Sequence, residues 1–127
     1  MAPALTYDEA LAYLAQFINY ETRQPVSYAP DHFNVQAFAE FLQTLASPHL
    51  AFPSVHIAGS KGKGSTAAMV ASMLSQAGLR TGLFTTPHLV TIRERTQIDR
   101  QMISREEFAA LVSELRAHVE GTHIPPA

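Results

Sequence analysis

The chemistry-bearing residues of this chain are concentrated in one short run, Gly59-Ser60-Lys61-Gly62-Lys63-Gly64-Ser65-Thr66. It holds the only two lysines of the 127 residues and three of the six glycines. Glycines let a main chain adopt positive φ and wrap phosphate oxygens with N–H donors. A lysine directly after Gly62 can reach terminal phosphates as a mobile charge, and a hydroxyl at Ser65 or Thr66 can serve phosphate or Mg²⁺. The spacing departs from the strict Walker A pattern: two residues separate Gly59 from Gly62-Lys63, and Gly64 precedes the hydroxyls. A variant phosphate loop is therefore expected. The plain alternative is a glycine-rich turn with incidental lysines.

Two further readings bear on that loop. Gly62-Lys63-Gly64-Ser65-Thr66-Ala67 also fits the dinucleotide pattern G-x-G-x-x-A. That pattern calls for an acid at the end of the next strand, where this chain has Phe84-Thr85-Thr86-Pro87, so NAD is disfavoured. Between Phe41 and Arg93 there is no acidic residue, whereas Lys61, Lys63, Arg80 and Arg93 all fall there. This local positive charge suits an anionic ligand.

The elements that must position the loop follow from periodicity. Val55-His56-Ile57-Ala58 is β-prone, Ser65 to Ala77 repeats apolar residues at helical spacing, and Arg80 to Thr85 is again β-prone. Together they predict a parallel βαβ unit, with Thr85-Thr86-Pro87-His88 emerging beside the glycine loop at the ligand edge of the sheet. There Thr86 could complete a Mg²⁺ shell and His88 could touch a ligand, although a polar strand end and an ordinary turn histidine are the simpler readings. His56, within an apolar run, reads as a core histidine. Arg93-Glu94-Arg95 is either a solvated charge run or a partner for a substrate carboxylate, and Leu89 to Arg95 is β-like but mixed.

Upstream, Thr6 and Glu9 form a capping-box start for a helix over 7–19. A loop over 20–33 precedes a second helix from Val35 to Ala46. Downstream, Ser104 and Glu107 cap a last helix whose Phe108, Leu111, Val112 and Leu115 are expected to face inward. The fold class is α/β.

Composition narrows the setting. With 46% apolar residues, 16% charged and a formal charge of -2, the chain is a globular domain without the basic face of a nucleic-acid binder. No apolar run approaches the ~20 residues of a membrane span, and a cytoplasmic location is expected. The absence of cysteine excludes disulfides and thiolate chemistry within these residues.

The run Val55 to Thr66, with Ala77 to Leu89 and Arg93-Glu94-Arg95, closely resembles the N-terminal part of the folylpolyglutamate synthases. That family includes the bifunctional dihydrofolate synthases and belongs to the Mur ligase superfamily. Tyr7-Asp8-Glu9-Ala10-Leu11-Ala12-Tyr13-Leu14 and Ile103-Ser104 are similar too. The resemblance implies an ATP-dependent amide ligase that adds L-glutamate to a folate or to dihydropteroate through an acyl phosphate. Its co-substrate would be ATP, its ion Mg²⁺ and its partners small molecules. By position it implies that Ser60 to Thr66 bind the ATP phosphates, with Lys63 as the catalytic lysine. Thr86, with Ser65, would serve Mg²⁺ where the family usually has serine. A pterin-contacting segment would fall near His32, Phe33 and Asn34, where the family's usual glycine and following arginine are replaced by Asn34 and Ala37. Asp99-Arg100 stands where the family tends to have Asn-Gly in a hairpin.

Family members are considerably longer. The organisation expected is therefore an N-terminal part of a P-loop, Mur-ligase-like ATPase domain with a parallel sheet and flanking helices. It would be helical over 1–53, strand, loop, helix and strand over 54–89, and hairpin-like then helical over 90–121, with the C-terminal domain absent and little or no activity from these residues alone. The competing reading is a nucleotide-binding module, or a kinase-like remnant, that binds ATP without forming an amide.

Overall fold

The computed structural model describes residues 4–17 and 35–121. Its residues group into two compact units, 1–53 with 109–127, and 54–108.

In the first unit, helix α1 spans Tyr7–Leu14 and starts with the capping box that its sequence encodes. The Thr6 amide donates to Glu9 Oε2 at 2.8 Å, and the Glu9 amide donates to Thr6 Oγ1 at 3.3 Å. Helix α2 spans Val35–Thr44, with Ala39, Phe41 and Leu42 half-buried and the rest exposed. Ala46 and Ser47 follow in the left-handed region and stop it. The Leu5 amide donates to Ser113 Oγ at 2.9 Å, which ties the start of the chain to its last helix.

The second unit is built around helix α3, Lys63–Gln76, and a small sheet. Strands β1 (Gly82–Phe84), β2 (Thr96–Ile98) and β3 (Gln101–Met102) lie in the order β1-β2-β3. Both pairings are antiparallel, with Leu83 opposite Gln97 and Ile98 opposite Gln101. The expected parallel sheet is thus corrected among the described residues. Residues 54–58 carry no ladder and Val55 and His56 are exposed, while β1 takes its partner from β2 instead. A β-prone run dictates extended backbone, but its hydrogen-bond partner is chosen by tertiary contacts.

Helix α3 packs against β1. The buried apolar residues of this unit are Ala71, Ile103 and Phe108, whereas Met69 and Met73, one turn apart on α3, are 59% and 63% exposed. Helix α4, Arg105–Glu120, begins with the Ser104–Glu107 capping box, whose amide-to-side-chain bonds measure 2.7 and 3.0 Å. Phe108, Ala109 and Val112 are its buried residues, while Leu111 and Leu115 are exposed, which corrects the expected inward stripe. The buried set follows an i, i+4 row through Phe108 and Val112, and Leu111 and Leu115 form the adjacent row.

The β2–β3 hairpin turns through Asp99 and Arg100, with φ of 48° and 67°. Positive φ at both central residues is the requirement of the I′ turn, which favours Asn-Gly because other side chains are strained there. Asp99 is compensated: its Oδ1 accepts the Thr81 amide at 2.8 Å and its own amide donates to the Thr81 carbonyl at 2.8 Å. Arg100 makes no such bond among the described residues, so Arg100→Gly is expected to stabilise the fold by about 0.5–1 kcal/mol, the left-handed penalty less the added chain entropy of glycine. A urea melt of the two chains checks this, and a lower midpoint for the glycine variant contradicts it.

Candidate functional site

The glycine loop sits where extended backbone gives way to α3. Gly62, the N-cap of α3, has φ 74° and ψ 1°, a conformation that strains any residue with a Cβ. No side chain caps this helix end. The Thr66 amide closes the first turn on the Gly62 carbonyl at 2.9 Å, and the Thr66 hydroxyl donates to the same oxygen at 2.9 Å. The amides ahead of Thr66 in the first turn, those of Lys63, Gly64 and Ser65, lack helical acceptors, as at every helix start. They add to the positive end of the helix dipole.

Lys63 folds back across the loop. Its Nζ donates to the Gly59 carbonyl at 2.7 Å, closing a ring from Gly59 to the first helical residue. This bond holds the ammonium over the loop while leaving further N–H donors free, since an ammonium carries three. Nothing among the described residues requires glycine at Gly64: it is helical, and a Cβ there would meet none of them within 4 Å beyond its own helix. Gly62 likewise faces open space, so its need for glycine is conformational. Ser60, Lys61, Ser65 and Thr66 are all exposed.

Beyond β1, the Thr85 amide donates to the Arg95 carbonyl at 3.1 Å and extends the ladder by one bond. Thr86 follows, exposed, in a cis peptide bond to Pro87. His88 Nδ1 accepts from Arg95 Nε at 2.9 Å, which leaves Nε2 as its remaining polar atom. Arg93 donates to the Ile103 carbonyl at 2.9 Å.

The segment from Thr91 is not a strand: Ile92–Arg95 forms a 3₁₀ turn. Glu94 grips the preceding backbone, accepting the amides of Leu89, Val90 and Thr91 at 2.8, 2.9 and 2.7 Å. The charge run 93–95 therefore fixes the conformation of 88–95. Its only sequence signal is Thr91 three residues before Glu94, the capping-box spacing. His32, Phe33 and Asn34 lie outside the described residues.

The Leu89 amide, then those of Thr91 and Val90, hold the Glu94 carboxyl below its ordinary range. The Thr6 amide does the same for Glu9, and the Ser104 amide for Glu107. A carboxyl whose folded pKa is lowered contributes stability that is present above the unfolded value and lost as pH falls through the folded one. Melting temperature is accordingly expected to be level above about pH 5.5 and to fall on acidification below about 4.5. In Glu94→Gln the acid-side fall should be smaller; an unchanged pH profile for that variant contradicts the assignment.

No three His, Asp or Glu side chains stand together as a metal site among the described residues. Ser65 and Thr86 offer neutral hydroxyls, which fit Mg²⁺ only as additions to a shell of phosphate oxygens and waters. No described helix is long and apolar enough to cross a membrane.

No protein-family model matches the chain. A folylpolyglutamate synthase of Arabidopsis thaliana is 41% identical over 103 residues, covering 81% of this chain and 18% of the relative. The dihydrofolate synthase/folylpolyglutamate synthase of Bacillus subtilis is 41% identical over 81 residues, covering 64% and 19%. A solved FPGS–AMPPCP–folate complex superposes with a TM-score of 0.78 at 29% identity, over 92% of this chain and 26% of that one. The chain thus spans about a fifth of the length of these curated relatives. In sequence and in fold, it is a homologue of the folylpolyglutamate synthases over most of its own residues.

Proposed function

We propose that Gly59 to Thr66 hold the phosphates of ATP in an amide ligase that joins L-glutamate to a folate or to dihydropteroate. The observation that carries this reading is the helical, sterically unconstrained Gly64 beside a lysine whose Nζ is held over the loop. A glycine that the fold does not require is explained by a ligand whose oxygens approach the main chain there. The solved homologue bound to AMPPCP and folate supports the same ligand classes.

In this reading the amides of Gly62 to Ser65 and the Lys63 ammonium orient the ATP phosphates and stabilise the charge that develops on the transferred phosphoryl group. The folate carboxylate takes the γ-phosphoryl group with release of ADP. The glutamate amine then attacks the acyl carbon and phosphate leaves. Mg²⁺, when bound, would neutralise phosphate charge, with Ser65 and Thr86 as its hydroxyl ligands. The bonds of Glu94 to the amides of Leu89 to Thr91 and of Arg95 to His88 hold the segment that follows Thr86 and Pro87.

Two measurements test this. The 127-residue chain should bind ATP at equilibrium and release little or no phosphate. A family-length enzyme carrying this segment should release phosphate only when both a pteroyl substrate and glutamate are present. ATP binding without that dual dependence favours the nucleotide-binding module, and robust glutamate-dependent turnover by the 127 residues overturns the expectation of inactivity.

A further inference from the structure

At the opposite end of α3 from the glycine loop, about 20 Å along the helix axis for its 14 residues, lies a shallow open cleft of about 660 Å³. It is lined by Ser75, Gln76, Arg80, Asp99, Arg100 and Gln101, among others. Neither the Arg80 nor the Arg100 guanidinium makes a hydrogen bond or ion pair among the described residues. Arg80 also borders an adjoining cleft of about 440 Å³ together with Glu107.

The acids nearby are committed to the fold. Asp99 Oδ1 accepts from the Thr81 amide and from Ser75 Oγ, at 2.8 and 3.4 Å. Glu107 Oε2 accepts the Ser104 amide. The two guanidinium groups are thus left to solvent, beside carboxylates whose hydrogen bonds are taken by the Thr81 and Ser104 amides and the Ser75 hydroxyl rather than by either arginine.

Arg100 is also the residue that the hairpin least wants. It occupies a left-handed position with φ 67° and gains no side-chain hydrogen bond there among the described residues, although glycine would fill the turn without strain. Strain of this kind, kept at a position that presents a charged side chain to a cleft, points to function. Arginine forks match planar carboxylates and phosphates bidentately. We propose that this cleft is a second anion site, separate from the glycine loop, for a ligand carrying more than one carboxylate or phosphate group. The proposal does not depend on the ligase reading.

The test uses the 127-residue chain with Lys63→Ala, which weakens the loop's contribution, titrated separately with inorganic pyrophosphate and with triglutamate and followed by amide chemical shifts, which separate residues of the loop from those of the cleft. Saturable binding of either probe is expected, with shifts at Thr81, Asp99 and Arg100; the probe that binds identifies phosphate or carboxylate as the source. Arg100→Gly and Arg80→Gln should each weaken that binding roughly tenfold or more. Arg100→Asn, which tolerates the left-handed turn, should do the same if the glycine variant fails to fold. Higher thermal stability with weaker anion binding in Arg100→Gly separates a binding role from a structural one. Absence of saturable binding by both probes, or binding indifferent to the arginine variants, overturns the proposal and leaves the loop reading untouched.

Discussion

Replacing Lys63 by alanine is expected to weaken ATP binding by roughly tenfold to a hundredfold while leaving the melting temperature almost unchanged. The two parts of that expectation have separate physical origins. Lys63 is exposed, and the one hydrogen bond of its ammonium among the described residues is the 2.7 Å contact to the Gly59 carbonyl at the surface. Losing an exposed hydrogen bond costs the fold little, because water replaces the donor. Against a phosphate chain the same ammonium supplies a charge-assisted bond that water does not replace. Isothermal titration with ATP, beside a thermal melt, reads both quantities. Equal ATP affinity in the two proteins would remove the phosphate-loop reading for the ligase and for the nucleotide-binding module alike.

Gly64→Ala should produce the opposite pairing of signs, with greater stability and a loss of nucleotide binding. Gly64 lies in the first turn of α3, where alanine is the better helix former by about 0.5–1 kcal/mol. The new methyl group would meet nothing within 4 Å beyond its own helix, so no clash offsets that gain. The open space beside Gly64 is where the proposed phosphate oxygens approach the main chain, and a methyl group there displaces them from the amides. ATP affinity is therefore expected to fall roughly tenfold or more as the melting temperature rises by a few degrees. If Gly64→Ala keeps full ATP affinity, phosphate does not approach the backbone at this point. A simultaneous loss of stability and binding would mean that α3 begins differently from the start described.

The two variants together distinguish a side-chain contribution from a main-chain one. Lys63→Ala removes a charge and leaves the cradle, whereas Gly64→Ala fills the cradle and leaves the charge. Each also carries an internal control, since stability and affinity are expected to move independently.

Much of this organisation is written in local patterns. The capping boxes at Thr6–Glu9 and Ser104–Glu107 mark their helix starts because the reciprocal bonds join residues three apart and need nothing distant. The start of α3 at the glycine loop is legible for the same reason, since a left-handed Gly62 and a helix-forming run are properties of adjacent residues. Tertiary structure alone decided the sheet. Val55 to Ala58 and Arg80 to Thr85 both read as strands, yet only Gly82 to Phe84 forms one among the described residues, and it pairs antiparallel with β2, a choice set by long-range hydrogen bonds that no periodicity encodes. It also decided that Glu94 and Arg95 serve the backbone and His88, because a charge run reads alike whether its carboxylate meets water or three amides. Composition and spacing thus determined which residues could meet an anion. The three-dimensional fold determined that Lys63 bends over its own loop, and that Arg80 and Arg100, twenty residues apart in sequence, border one cleft.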